Sequence, residues 1–200
     1  MSNMLEDDAF VRLFQERAGL KVDGWAGKDT IAVLNQLFPP AKPPQSIDKS
    51  IPDDYWPMLS KIESGNRPYV QARTSSASGL YQFIKSTWLG EGGQWGKTLR
   101  PAFGGLKPSV EEQLQRAKTF TAKNAAYLKS KKIPINKASL YAAHFLGAIT
   151  AAKVIGADVK ERADWIAGPA ATKANPSILK RKTVGQFLSW LYKKTGDWAR

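Results

Sequence analysis

Glu63 is the side chain in this sequence best placed for acid–base chemistry. Leu59, Ile62 and Glu63 stand at i, i+3 and i+4, which sets the carboxyl at the border of the buried face of a predicted helix. The Ser64-Gly65-Asn66 run that follows ends the helix, with Gly65 suited to a left-handed position. Partial burial and the negative end of the helix dipole both disfavour the ionised form. A carboxyl raised in this way holds a proton near neutrality, as a general acid must. On spacing alone, a Glu that merely bonds nearby amides at a helix end is the alternative. The rest of the inventory narrows the chemistry. The chain has no cysteine and one histidine, His144, so thiolate chemistry, a Ser-His-Asp triad and a multi-His metal site lack their residues. Neither metal nor cofactor is expected. Between Glu63 and Glu111 the only other acid is Glu91, inside the glycine-rich "LGEGGQWG".

The elements that must hold these residues read as helices almost throughout. Apolar periodicity places them at about 52–64, 80–89, 109–130, 137–156, 158–167 and 183–195, with glycine-rich loops between and hardly any strand alternation. A mainly α fold follows. The densest break is "FPPAKPPQS", which favours an extended spacer. The predicted organisation is therefore a helical unit over 1–38, a Pro-rich linker over 39–50 and a catalytic domain over 51–200. In the first unit, Phe10, Leu13 and Phe14 and then Ile31, Leu34, Leu37 and Phe38 form apolar stripes, with Asp29 or Thr30 as a helix cap and Asp23-Gly24 as a turn.

Composition bounds the partners. Forty-two per cent apolar residues and seven tryptophans argue for a folded chain. No run is long enough to span a membrane, and the acidic start is unlike a signal peptide. The net charge of +13 is uneven: residues 1–38 hold four Lys/Arg against six Asp/Glu, and the remainder holds 26 against 11. Such a field attracts polyanions, whether nucleic acid, an anionic envelope surface or the acidic polymers of a bacterial wall. A helix-turn-helix DNA binder is disfavoured, because "TIAVLNQLF" offers no Lys or Arg to phosphate.

Two resemblances sharpen the expectation. The stretch "ESGN…SSASGLYQF…TW" resembles the Glu-Ser and "GLMQ" motifs of soluble-type lytic transglycosylases, relatives of goose-type lysozymes. Glu63, Ser64, Asn66, Pro68, Ser76, Ala77, Gly79, Leu80, Gln82, Thr87 and Trp88 match. Tyr81 replaces the usual Met, and the Glu-to-Gly spacing is one residue longer than the commonest form. "LYAAHFLGA" occupies the place of the family's "AYNAG" helix, with His144 at the Tyr and Phe145 at the Asn position; this form, with a later Ala174-Asn175-Pro176, resembles phage and prophage members. Upstream, Val11, Leu13, Gln15, Gly19, Leu20, Val22, Asp23, Gly24, Gly27 and Thr30 are similar to a peptidoglycan-binding module, although such modules usually carry a further helix in front.

The resemblance implies a lysozyme-like catalytic domain behind a small wall-binding unit, acting on the MurNAc-(β1,4)-GlcNAc bond as a phage or prophage endolysin. Glu63 would be the catalytic acid, then base, as the muramic C6 hydroxyl closes a 1,6-anhydro ring. Gln82, and less surely Ser76 and Ser78, would bind N-acetyl or hydroxyl groups, and Tyr81, Phe83 or Phe145 would line sugar subsites, with a place in the core as the alternative for Phe83. His144 is either a cleft residue or a hydrogen-bonded histidine beside a packed helix. Ser/Thr clusters also serve simply as turns and caps. Trp25, with Asp23, would contact the wall. Hydrolysis is the rival outcome, with Glu91, Asp53 or Asp54 as the water-activating base. A virion-associated role, and a non-catalytic wall-binding one, fit the same motifs. Expected partners are peptidoglycan glycan strands and, through the basic C-terminal region, an anionic envelope surface, with no nucleic acid and the chain a monomer. The expected route is synthesis in the host cytoplasm and action on the wall after release.

Overall fold

The computed structural model describes residues 7–37 and 50–200. The prolines of the predicted linker, Phe38 and the first six residues lie outside the described residues. The chain divides into two compact units, 1–45 and 46–200.

The first unit holds α1 (Asp7–Arg17) and α2 (Lys28–Leu37). Its centre is polar. Gln15, 1% exposed, donates through Nε2 to Asp23 Oδ1, the Trp25 carbonyl and Thr30 Oγ1, at 2.8, 2.9 and 3.0 Å. Its Oε1 accepts from the Asp23 and Gly24 amides at 3.0 and 2.9 Å. One glutamine thus pins the turn to both helices. Thr30 lies inside α2 as part of this hub, so it is not a cap. The predicted apolar stripes are not what closes the unit: Phe10, Leu13, Ile31, Leu34 and Leu37 are exposed.

The second unit is mainly α. It comprises α3 (Tyr55–Ser64), α4 (Lys85–Gly90), α5 (Val110–Ser130), α6 (Lys137–Leu146), α7 (Ala148–Gly156), α8 (Ala163–Ala174), α9 (Pro176–Leu179) and α10 (Val184–Thr195). The long α5 packs on α6 and α7, and α10 closes against α6. Leu59, Leu128, Leu140, Val154, Phe187 and Leu191 are fully buried between them. Starts are well specified. Ser109 accepts the Glu112 amide at the head of α5, and Asn136–Ser139 and Thr183–Gln186 form capping boxes on α6 and α10. No described helix is long and apolar enough to cross a membrane.

Three predicted helices differ from the fold. Residues 80–84 form a turn held by bridges from Ser78 to Gln71 and Phe83, so α4 begins only at Lys85. The 137–156 helix is broken at Gly147, whose φ of 79° and ψ of 147° no helix accommodates. The 158–167 helix starts at Ala163, after a turn in which Asp158 accepts the Lys160 amide, and kinks at Gly168, where φ is 85° and Pro169 follows.

Candidate active site

The end of α3 is built to aim Glu63. Gly65 takes the left-handed conformation and its amide returns to Lys61 O, as the sequence predicted. Ser64, one residue after the acid, is buried. Its hydroxyl donates to Ser60 O at 3.0 Å and accepts the Arg67 amide at 3.2 Å. Asn66, also at positive φ, accepts from Ser60 Oγ at 2.6 Å. The Ser and Asn of the motif therefore tie off the helix, which leaves the Glu63 side chain as its chemical end.

Glu63 opens into a cleft of about 1170 Å³. Phe83, Phe120, His144 and Phe145 form its aromatic lining, Thr74, Ser75, Gln82 and Thr87 add hydroxyl and amide groups, and Ala170, Lys173 and Asn175 contribute from α8 and the residue after it. Burial raises the Glu63 carboxyl to about 7, against the opposing effects of a hydrogen bond from the Tyr141 hydroxyl and the positive charge of Lys194. The same burial and the nearby carboxylate keep the Tyr141 phenol protonated. A proton on Glu63 near neutrality, with a phenol ready to bond the carboxylate once it is lost, is the arrangement a group acting as acid and then base requires.

Other expected site residues fall in two sets. Gln82 lines the cleft from a strained backbone position, φ 48°. Its Nε2 donates to Gly79 O and Val70 O at 2.9 and 3.3 Å, which turns the amide oxygen into the group offered to a ligand. Phe145 lines the cleft and packs on Trp190, centroids 5.3 Å apart. His144 lines it too. Since a carbonyl only accepts, His144 Nε2 carries the hydrogen donated to Tyr81 O at 3.0 Å. Nδ1 is enclosed without a partner. Burial lowers His144 to about 4 although the Tyr81 bond favours the charged form, so at neutral pH it is an uncharged ring stacked on Phe83 at 5.6 Å.

The second set stands away from the cleft lining. Ser76 Oγ accepts the first amide of α4, from Lys85, at 3.0 Å. Ser78, 1% exposed, donates to Ser76 O at 2.9 Å and accepts the Phe103 amide at 3.2 Å. Both hydroxyls are spent on the loop. Tyr81 is buried in the core, 6% exposed, and reaches the site only through its carbonyl. In the first unit, Asp23 is occupied by Gln15 and the Trp25 amide, whereas Trp25 is 76% exposed.

The candidate water-activating acids are absent from the described cleft lining, and two of them are engaged elsewhere. Both Glu91 carboxylate oxygens lie 2.9 Å from Lys123 Nζ, Asp54 pairs with Lys137 at 2.7 Å, and neither they nor the exposed Asp53 line the cleft. Among the described residues Glu63 is its one carboxylate. Sequence reading passed over Tyr141, Thr74, Ser75, Phe120 and Lys173. For Tyr141 a signal existed: it stands three and four residues before His144 and Phe145, on one helical face.

No family model matches the chain, and no curated protein matches it.

Proposed function

We propose that this protein cleaves the MurNAc-(β1,4)-GlcNAc bond of bacterial peptidoglycan as a lytic transglycosylase. The observation that carries this reading is a cleft whose one carboxylate, among the described residues, is a Glu held to about 7 by burial. Protonated Glu63 donates to the glycosidic oxygen as positive charge develops at the muramic anomeric carbon. The resulting carboxylate, bonded by Tyr141, then takes the proton of the muramic C6 hydroxyl, which attacks to close the 1,6-anhydro ring. Since the nucleophile belongs to the substrate, attack is intramolecular and needs no second carboxylate. An inverting hydrolase needs a base carboxyl about 6.5–9.5 Å from the acid, and no described cleft residue supplies one.

The aromatic lining suits the apolar faces of sugar rings, and Gln82 suits an N-acetyl N–H. Host lysis as an endolysin is the biological role that accords with a wall-cleaving site joined to a small unit bearing an exposed tryptophan. Digested sacculi test the chemistry. Muropeptides should end in anhydro sugars, lighter by one water than hydrolysed ends, and Glu63→Gln should lower the rate at least a thousandfold while leaving the fold intact. Hydrolysed ends would move the reading to a muramidase, and a fully active Glu63→Gln would remove Glu63 from it.

A further inference from the structure

Cleft charge carries the next step, which rests on the glycan-cleaving reading. Among the described residues lining the cleft, Glu63 is the one acid and Lys173 the one Lys or Arg. With Glu63 protonated for catalysis and His144 neutral, the lining is net positive, and Lys194 adds to the field felt at Glu63. An uncharged glycan gains nothing from this. A substrate bearing carboxylates does.

The backbone shows how the cation comes to be there. Gly168, at φ 85° and ψ 168°, breaks α8 before Pro169, in a conformation reserved almost entirely for glycine. The turn that follows presents Ala170, Lys173 and Ala174, spaced i, i+3 and i+4, to the cleft. Ala170, Ala174 and Gly147 are small residues of the same lining, and no atom lies within 4 Å of a Cβ position at Gly147. Lys173 is exposed, and no described carboxylate pairs with it.

We propose that Lys173 is a specificity residue that takes a carboxylate on the lactyl arm of the muramic sugar, so that the enzyme selects acidic, muramic-type strands over neutral N-acetylated glycans. The carboxylate has two sources: the stem peptide, or the free lactyl acid where the peptide has been removed.

Three substrates separate the outcomes: peptide-bearing strands, strands stripped by an amidase so that the lactyl carboxylate is free, and stripped strands whose carboxyls have been converted to methylamides. The readout is the ratio of kcat/KM on each acidic strand to that on the neutralised strand. Wild type should favour at least one acidic strand. Lys173→Met should lower that ratio about twofold to fivefold, the size of a solvent-exposed ion pair, and Lys173→Glu further, while Lys173→Arg should retain it. Preference for peptide-bearing strands alone assigns the stem peptide, preference for stripped strands alone assigns the lactyl acid, and preference for both shows that Lys173 takes either carboxylate. An unchanged ratio in Lys173→Glu, or an equal loss on all three strands, overturns the proposal. Failure of wild type to cut any strand instead overturns the glycan-cleaving reading and this inference with it.

Discussion

At the scale of residues, the proposed function makes Glu63 and Tyr141 the groups that set the pH behaviour. A general acid held to about 7 should give a kcat/KM profile that falls above about pH 7. Tyr141 donates to the carboxylate and so favours the charged form; Tyr141→Phe should move that basic limb upward and lower the maximum, because the acid becomes weaker. A limb that stays in place would separate Tyr141 from Glu63. The same burial carries a stability cost. The folded-state value lies above the unfolded value of about 4.3, so the native state binds the proton more tightly. Its contribution to stability is fully present below about pH 4 and is lost as pH rises through about 7. Glu63→Gln keeps an oxygen for Tyr141 and removes the charge. Thermal melts should show the variant about 2–3 kcal/mol more stable than wild type at pH 8 and nearly equal to it at pH 4; an equal gain at both pH values would mean that ionisation is not the cause.

Among the elements, the loop between α3 and α4 decides whether the cleft exists at all. Gln113 of α5, 1% exposed, accepts the Leu80 amide at 2.8 Å and donates to Pro68 and Pro108 carbonyls at 3.1 Å each. Gly79 sits against it at φ 78°, and a Cβ there would collide with Gln113 Oε1 and the Phe103 ring. Gly79→Ala should therefore cost about 2–4 kcal/mol, from strain and overpacking together, measured by denaturant unfolding; a change below 1 kcal/mol would show that the loop yields. This loop also marks how far the sequence was legible. Glu63 at the end of α3 could be read because apolar spacing and a glycine stop are local signals. The cleft position of Gln82 follows from a motif, but the apolar spacing over 80–84 mimics a helix where the structure has a turn. The competing bonds come from Gln113, more than thirty residues away, and from Ser78 to Phe103. Tyr81 was misplaced for the same reason: its ring turns into the core in a turn and not outward from a helix. Lys173 reads in the sequence only as one cation of the basic C-terminal region, because its place in the cleft lining, after the break at Gly168, carries no local signal.

On the scale of the whole molecule, two compact units are held by different physics. The unit over 46–200 has an apolar core, whereas among the described residues of the first unit only Gln15 and Thr30 are buried. The motif that suggested wall binding is thus chiefly a folding motif: Gln15, Asp23, Gly24 and Thr30 are joined through one side-chain amide. Trp25 is the most exposed aromatic of the described residues of this unit, 76% exposed, with its backbone fixed by Gln15 and Asp23. An aromatic held rigidly in a turn can stack on a sugar face at little entropic cost. Two variants separate scaffold from contact. Gln15→Ala removes a buried hub of five hydrogen bonds, each worth about 1 kcal/mol, in a unit with little else to hold it. Its amide-exchange protection over residues 7–37 should vanish together with co-sedimentation on purified sacculi. Trp25→Ala should keep that protection and still lose most of the co-sedimentation. If Trp25→Ala pelleted with sacculi as wild type does while Gln15→Ala did not, the unit would bind the wall through another surface, and the uncovered side chains of Phe10, Ile31 and Leu34 would be the ones to substitute next.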